Sequence, residues 1–466
     1  MRESSLRLRS YPALLFVLFS AACSSGGGGG EQNPPVATPG LPSPPVGLTL
    51  PGPRPAFGPR SFVTFESGQV RPLALSADGA RLYAANTPDG KLEIFSVSGV
   101  GLVHINSVPV GMEPVAVAEA SNGDVWVVNH LSDNVSIVDM AQVPPRVRRT
   151  LWVGDEPRDI VFAGSNRNRA FIATAHRGQR SPVNPALTSQ GAGRADVWVF
   201  DADNPGVGAG GTPLTIMTLF GDKPRALAVT PDGSRVYAAI FNSGNRTTIL
   251  PPGNFTKAPP LSSADSVSQP NTGLIVKFNG NNWVDELAQT YDSRVPFTLP
   301  DRDVFEIDAT VDPPSLVRDF RRVGTTLFNM AVNPINGDVY ISNTDARNEV
   351  RFSGEATRAS TTVRGHVADH RITVINGGVV RPRILNKHID FSRRFGTVDE
   401  RETSLSLPLG MAVSADGSTL FVTAFGSGKV GVYATDELVN DTFVPNRNSW
   451  IELSAGGPSG IVLDET

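Results

Sequence analysis

Cysteine is almost absent. Cys23 is the only one in 466 residues, so no internal disulfide can staple the fold. Charge is sparse as well: Asp, Glu, Lys and Arg make up 18% of the chain, and the formal net charge is −4. A nucleic-acid partner, which usually leaves a basic stripe, is not expected. Long hydrophobic runs are missing, since the conspicuous apolar stretch "YPALLFVLFSAA" is about twelve residues and too short to cross a bilayer. The chain has no nucleophile elbow, phosphate loop or Cys-x-x-Cys-His haem attachment motif. No cofactor or metal is therefore expected within it. What it has in abundance is glycine and proline, 46 and 38 residues, a mixture suited to short strands joined by many turns. Its length exceeds one ordinary core unless repeated units pack on their neighbours.

Arg2, Arg7 and Arg9 precede the apolar stretch, which ends in "SAAC" with small residues before Cys23. This resembles a bacterial lipoprotein signal, departing from it at Ser20 where leucine is preferred. The resemblance implies a signal peptide over residues 1–22, a lipid on Cys23 and a membrane partner through that lipid. Ser24, in place of aspartate, favours the outer membrane of the bacterial cell envelope. Simple cleavage with an unmodified Cys23 is the alternative. Residues 23–60 run through "SSGGGGG" into dense proline, a tether with too few large apolar side chains to fold.

From residue 61 to 466 one module recurs. "RPLALSADGARLYAANTPDGKLEIFSV", "KPRALAVTPDGSRVYAAIF" and "LPLGMAVSADGSTLFVTAFGSGKVGVYAT" each give an apolar strand, a tight turn and a second strand of β-branched and aromatic residues. The turn is Asp-Gly at Asp78, Asp232 and Asp416, and Asn-Gly at Asn122 and Asn336. Such dipeptides predict two-residue hairpins with positive φ angles, and five in register make a repeat. Six first strands begin near Arg71, Pro114, Pro157, Pro224, Leu327 and Pro408, and a seventh opens at Pro458 as "PSGIVLDE". "SFVTFES" at Ser61 is a strand without a hairpin partner.

The module resembles the YVTN-type β-propeller repeat, with "PVAVAEASNGDVWVVN", "NVSIVDM" and "FNMAVNPINGDVYISN" carrying the likeness. The expected fold is all-β, a β-propeller of four-stranded blades, seven-bladed with the last blade incomplete in this chain. A six-bladed ring with a stray tail is the alternative. The abrupt ending "GGPSGIVLDET" reads as a fragment of a longer protein.

Long insertions fall at about 176–194, 242–300 and 344–369, between second and third strands. They share a face with the connections between blades, and loops on a rigid scaffold are where binding resides. Aligning the modules sets Arg71, Arg158 and Arg225 at one position near the mouth of a central channel. Three guanidiniums there suit a small anionic ligand through paired hydrogen bonds, with Asp159 able to pair with one. The plainer reading is that each arginine ties a connection to the neighbouring blade. His130, His176, His366 and His370 are candidates on the insertion face; His366 and His370 lie four apart without a visible third metal ligand.

"WVVNHLSDNVSIVD", "VGDEPRDIVFAG", "TAHRGQ" and "GRADVWVFDA" resemble bacterial YVTN proteins whose propeller precedes a c-type cytochrome domain. That resemblance implies an envelope-anchored binding or docking scaffold for an unknown protein or small anion, without chemistry of its own. It would be the front of an electron-transfer protein carrying haem c in a C-terminal region beyond this sequence. A lactonase family shares the repeat type, so a lactonase-like hydrolase is an alternative. A surface adhesion or glycan-binding module is another.

Overall fold

The computed structural model describes residues 20–21, 67–99, 101–178, 192–256, 261–262, 266–295, 301–347, 366–391, 393, 396–454 and 456–465. Cys23, nearly all of the leader, the tether and the strand expected at Ser61 lie outside the described residues, as do parts of all three insertions.

Among the described residues six four-stranded antiparallel sheets follow one another, each a meander in strand order. Their first strands are Leu73–Leu75, Pro114–Glu119, Asp155–Ala163, Pro224–Val229, Thr326–Val332 and Pro408–Val413. Successive first strands lie side by side around a central channel. The starts expected from the repeat agree with these to within two residues.

The hairpin turns share one chemistry, though not the one expected. The Gly79 N–H donates to Ser76 O at 2.8 Å and the Ser76 N–H to Arg81 O at 2.9 Å, which makes a four-residue loop. Thr230 and Ser414 open the same loop in blades four and six, and Asn333 opens one of equal length in blade five, where Gly337 stands one place later and its N–H donates to Asn333 O four residues back. Only the glycine is left-handed, with φ of 69°, 74°, 76° and 73° at Gly79, Gly233, Gly337 and Gly417. The Asp or Asn before it instead accepts a backbone N–H two residues on, as Asp78 does from Ala80 at 3.0 Å and Asn336 from Asp338 at 2.9 Å. This Asx capture, rather than a positive φ at both central residues, is what these side chains supply.

The core lies between blades. Trp126 and Leu151 of blade two pack with Ile160, Phe162, Ile172 and Phe200 of blade three, and Phe171 and Val197 continue onto Leu227, Val236 and Phe305 of blade four. Trp126, fully buried, meets Phe162 edge-on at 5.6 Å. Burying each such side chain contributes roughly 1.5–3 kcal/mol. First strands are therefore apolar on both faces, which is why the repeat shows there as a run rather than an alternation.

The insertion in blade four holds a sheet of its own, Thr247–Leu250, Leu274–Phe278 and Trp283–Val284, over a small core of Leu250, Phe255, Leu274, Val276, Trp283 and Tyr291. At the other end of the chain, residues 457–465 lie between blades six and one. Gly457–Pro458 pairs with Ser20–Ala21. Ile461 packs on Phe421 and Val430 of blade six, and Val462 on Leu73 and Leu82 of blade one. Glu465 accepts the Ala415 N–H of the sixth hairpin at 2.7 Å, as Glu119 of blade two accepts Ala77 of the first at 2.6 Å. The segment thus stands where the first strand of a further blade belongs.

Candidate functional site

A short segment, Ser67–Arg71, divides the central channel. Its backbone pairs with blade two, Val70 N–H to Val115 O at 3.0 Å and Val117 N–H to Arg71 O at 2.9 Å. Val70, 1% exposed, reaches across to Ala226, Ala228 and Met330 of blades four and five. Asn329 of blade five donates to Val70 O at 2.6 Å. The segment is a plug held from four sides.

The arginine trio sorts itself around this plug. Arg71 donates through Nε and Nη2 to Asp159, both at 3.1 Å, and through Nη2 to Leu227 O at 2.7 Å. Asp159 is fully buried and also accepts Ile160 and Leu227 N–H groups. Arg225 donates to Phe328 O at 3.0 Å and Gln69 O at 3.1 Å. Burial, and then the charge of Arg158, push its pKa down to about 9. Arg71 and Arg225 lock the plug, and Arg158 and Arg225 lie over the Phe241 ring at 6.0 and 4.9 Å from its centroid. Arg158 alone turns to the mouth, where it pairs with Glu156 at 3.2 Å.

Above the plug is a cavity of about 420 Å³ lined by Ser67, His130, Asp133, Asp155, Glu156, Arg158 and Lys223, with Leu131 beside them. His130 Nδ1 lies 3.1 Å from Pro157 O, a contact only Nδ1–H can make favourably. That fixes the tautomer and leaves Nε2 with a lone pair. Burial, and then Arg158, push the imidazole pKa down to about 4, so it is neutral at pH 7. Burial also raises the Asp133 carboxyl. Lys223 stands 3.7 Å from Glu156, which therefore faces two cations.

The backbone at this mouth is strained. Glu113, Glu156, Lys223 and Leu407 each immediately precede the proline at or near the start of a first strand, and they have φ of 50°, 48°, 58° and 53°. Left-handed geometry in a non-glycine residue costs on the order of 1–3 kcal/mol and persists only where its surroundings fix it. Here the carbonyls of Glu113, Lys223 and Leu407 accept N–H groups of His130, Phe241 and Phe425 at 2.8–3.0 Å. The aligned arginines Arg158 and Arg225 follow their prolines, whereas these strained residues precede them. The signal was present: the residue before the proline is charged in three consecutive modules.

The other histidines do not line this cavity. His176 donates toward Asp196 at 3.0 Å, with the Thr218 hydroxyl bracing the same carboxylate at 2.8 Å. His366 pairs with Asp369 at 2.8 Å and stacks on Phe391, while His370 lies 3.3 Å from both Leu407 N and Ser406 Oγ. Among the described residues no group of three His, Cys, Asp or Glu side chains is placed to hold a metal ion.

The fold is a β-propeller. The profile of the family described as "Lactonase, 7-bladed beta-propeller" matches residues 60–239. Among solved structures, hydrazine synthase of Kuenenia stuttgartiensis is similar with a TM-score of 0.50 at 15% identity, over 87% of this chain and 90% of that one. A putative 6-phosphogluconolactonase from Bacteroides uniformis gives 0.48 at 13%, over 84% and 87%. The periplasmic gluconolactonase PpgL of Pseudomonas aeruginosa gives 0.46 at 12%, over 84% and 87%. No curated protein matches the chain in sequence. At these identities the structures speak to fold alone, and they do not extend the likeness to YVTN or cytochrome proteins.

Proposed function

We propose that this propeller hydrolyses a small anionic lactone at the mouth of its channel. The observation that carries the reading is the convergence in one cavity of a neutral, tautomer-fixed His130 with Arg158 and Lys223. The lactonase profile match supports it. In this reading His130 Nε2 takes a proton from the attacking water, and Arg158 and Lys223 hold the substrate's anionic group and the developing oxyanion. Collapse of the tetrahedral intermediate breaks the ring C–O bond, and His130 returns its proton to the leaving alkoxide. The depressed imidazole pKa is suited to a site that waits for an anion. Arg158 is one cause of the depression, so an anionic substrate paired with Arg158 moves His130 back toward the working pH.

The test is pH-stat hydrolysis of glucono-δ-lactone and its 6-phosphate by the full chain. His130→Ala is expected to lower kcat at least about a hundredfold while the protein still melts cooperatively, and Lys223→Met to raise KM for the phosphorylated substrate. Wild-type protein that hydrolyses neither lactone would return the reading to a docking scaffold. The lipoprotein-like leader supports placing this activity in the bacterial envelope, anchored through Cys23; Cys23→Ser releasing the protein from the membrane fraction checks that part.

A further inference from the structure

A cavity larger than that at the mouth lies on the other side of the plug. It measures about 690 Å³ and opens at the hairpin end of the channel. First-strand side chains of four blades wall it, among them Ala118, Val161, Phe162, Val229, Met330 and Val332. Arg71 stands at its closed end, and Arg81, Arg167, Asp78 and Glu119 stand around the hairpin turns at its opening. A cleft of this size, open at one end and walled by apolar side chains with a few placed polar groups, has the form of a small-molecule site.

The free hydrogen-bonding capacity of this cavity is chiefly donor in kind. Glu119 already accepts the Ala77 N–H at 2.6 Å and the Tyr83 hydroxyl at 3.0 Å. Asp78 accepts the Ser76 hydroxyl at 2.6 Å and the Ala80 N–H at 3.0 Å, and these bonds hold its carboxyl below the usual range. Asp159, behind Arg71, is buried and saturated by four donors. Arg71 uses Nε and Nη2 in the plug, and its Nη1 has no partner among the described residues. Arg81 is exposed at the rim, and Arg167 beside it gives Nη2 to Pro231 O at 2.6 Å. Three guanidiniums thus have donors to offer, while among the described residues the bonds to Asp78 engage only Oδ1 and the other carboxylates use both oxygens.

We propose that the hairpin-end channel is a second ligand site, separate from the mouth, that takes an organic anion with an apolar body, such as a medium-chain carboxylate. The apolar part lies along Val161, Val229 and Val332, and the carboxylate accepts from Arg81. The plug keeps this ligand out of the mouth, so the proposal stands independently of lactone hydrolysis.

Isothermal titration of the full chain with decanoate, decanol and acetate tests it. Decanoate is expected to bind saturably with Kd below about 1 mM, at least tenfold tighter than decanol, and acetate not at all. Arg81→Glu should weaken decanoate at least tenfold and leave decanol unchanged. Val332→Trp, which fills the channel, should abolish binding of both and leave the activity at the mouth untouched. Equal affinity for decanoate and decanol, no saturable decanoate binding, or decanoate binding unaffected by Arg81→Glu would each overturn the proposal. Arg81 is exposed, so that variant decides the matter even where Val332→Trp fails to fold.

Discussion

The two ends of the channel are made from the same six strands and obey opposite rules. At the hairpin end the backbone is mostly relaxed: glycine takes the left-handed position in five of the six repeated turns, and Arg167, at φ 52°, takes it in blade three. The aspartates there are hydrogen-bonded at the surface: Asp232 and Asp416 are held down to about 2, first by the hydroxyls of Thr230 and Ser414. At the mouth, charged residues occupy left-handed positions before proline, and burial works against charge. It pushes His130 down to about 4 and Asp303, beside Asp301, up to about 7. One end is a structural turn repeated by local code. The other is a place where strain and desolvation are tolerated, which is the usual mark of a functional surface.

The partition between the ends can be broken at the plug, and there the largest effect is expected. Arg71→Met strands Asp159 as an uncompensated buried charge, which should cost about 3–5 kcal/mol of unfolding free energy. Adding Asp159→Asn should recover part of this, because the buried charge is gone and the amide oxygen can still accept one of the Ile160 and Leu227 N–H groups, which donate to different carboxylate oxygens. Urea denaturation of the single and double variants measures both. A double variant as unstable as Arg71→Met alone would show that packing of Val70, rather than charge, holds the plug.

The opposed titrations give a smaller effect with a definite sign. His130 has a folded pKa below its unfolded value, so it contributes stability above about pH 6.5 that is lost as pH falls toward 4. Asp303 has a raised folded pKa, so its contribution is full below about pH 4 and lost as pH rises through 7. Between pH 4 and 6.5 the two slopes offset each other. Asp303→Asn should uncover a stability that rises with pH across that window, and His130→Gln one that falls. The hairpin aspartates act only below about pH 4, where protonation removes their hydrogen-bonded advantage. Identical pH profiles for the two variants would remove the electrostatic side of the comparison.

The smallest expected effects test the backbone side. Gly79→Ala, at φ 69°, should destabilise by about 1 kcal/mol, whereas Leu407→Gly, at φ 53°, should stabilise by about 0.5–1 kcal/mol. Leu407 lies outside the mouth cavity, so no change in activity accompanies it. Thermal melts suffice, and shifts of the same sign would erase the distinction.

The hairpin end was legible from the chain because its signals are local. Asp-Gly and Asn-Gly marked five turns, and only the turn type was misread: the aspartate side chain captures a backbone N–H while glycine alone turns left-handed. The mouth was legible in part. Arg158 and His130 were expected on the same face and do share a cavity, yet Glu156 and Lys223, which complete it, were overlooked beside the more conspicuous arginines. The three-stranded sheet inside the long insertion of blade four gave no repeat to detect, because its strands pair only with one another.

The sequence by itself determined the repeat, the blades and the order in which they are laid down, because strand, turn and glycine preferences act over a few residues. It also placed Pro458 at the head of another first strand, and residues 457–465 do occupy that place between blades six and one. The tertiary structure alone decided what the channel contains. Arg71 and Asp159 are 88 positions apart, and Arg225 and Gln69 are 156 apart. Only closing the blades around one axis brings them together, so whether these charges bind a ligand or lock a plug is set by the ring, not by any stretch of chain.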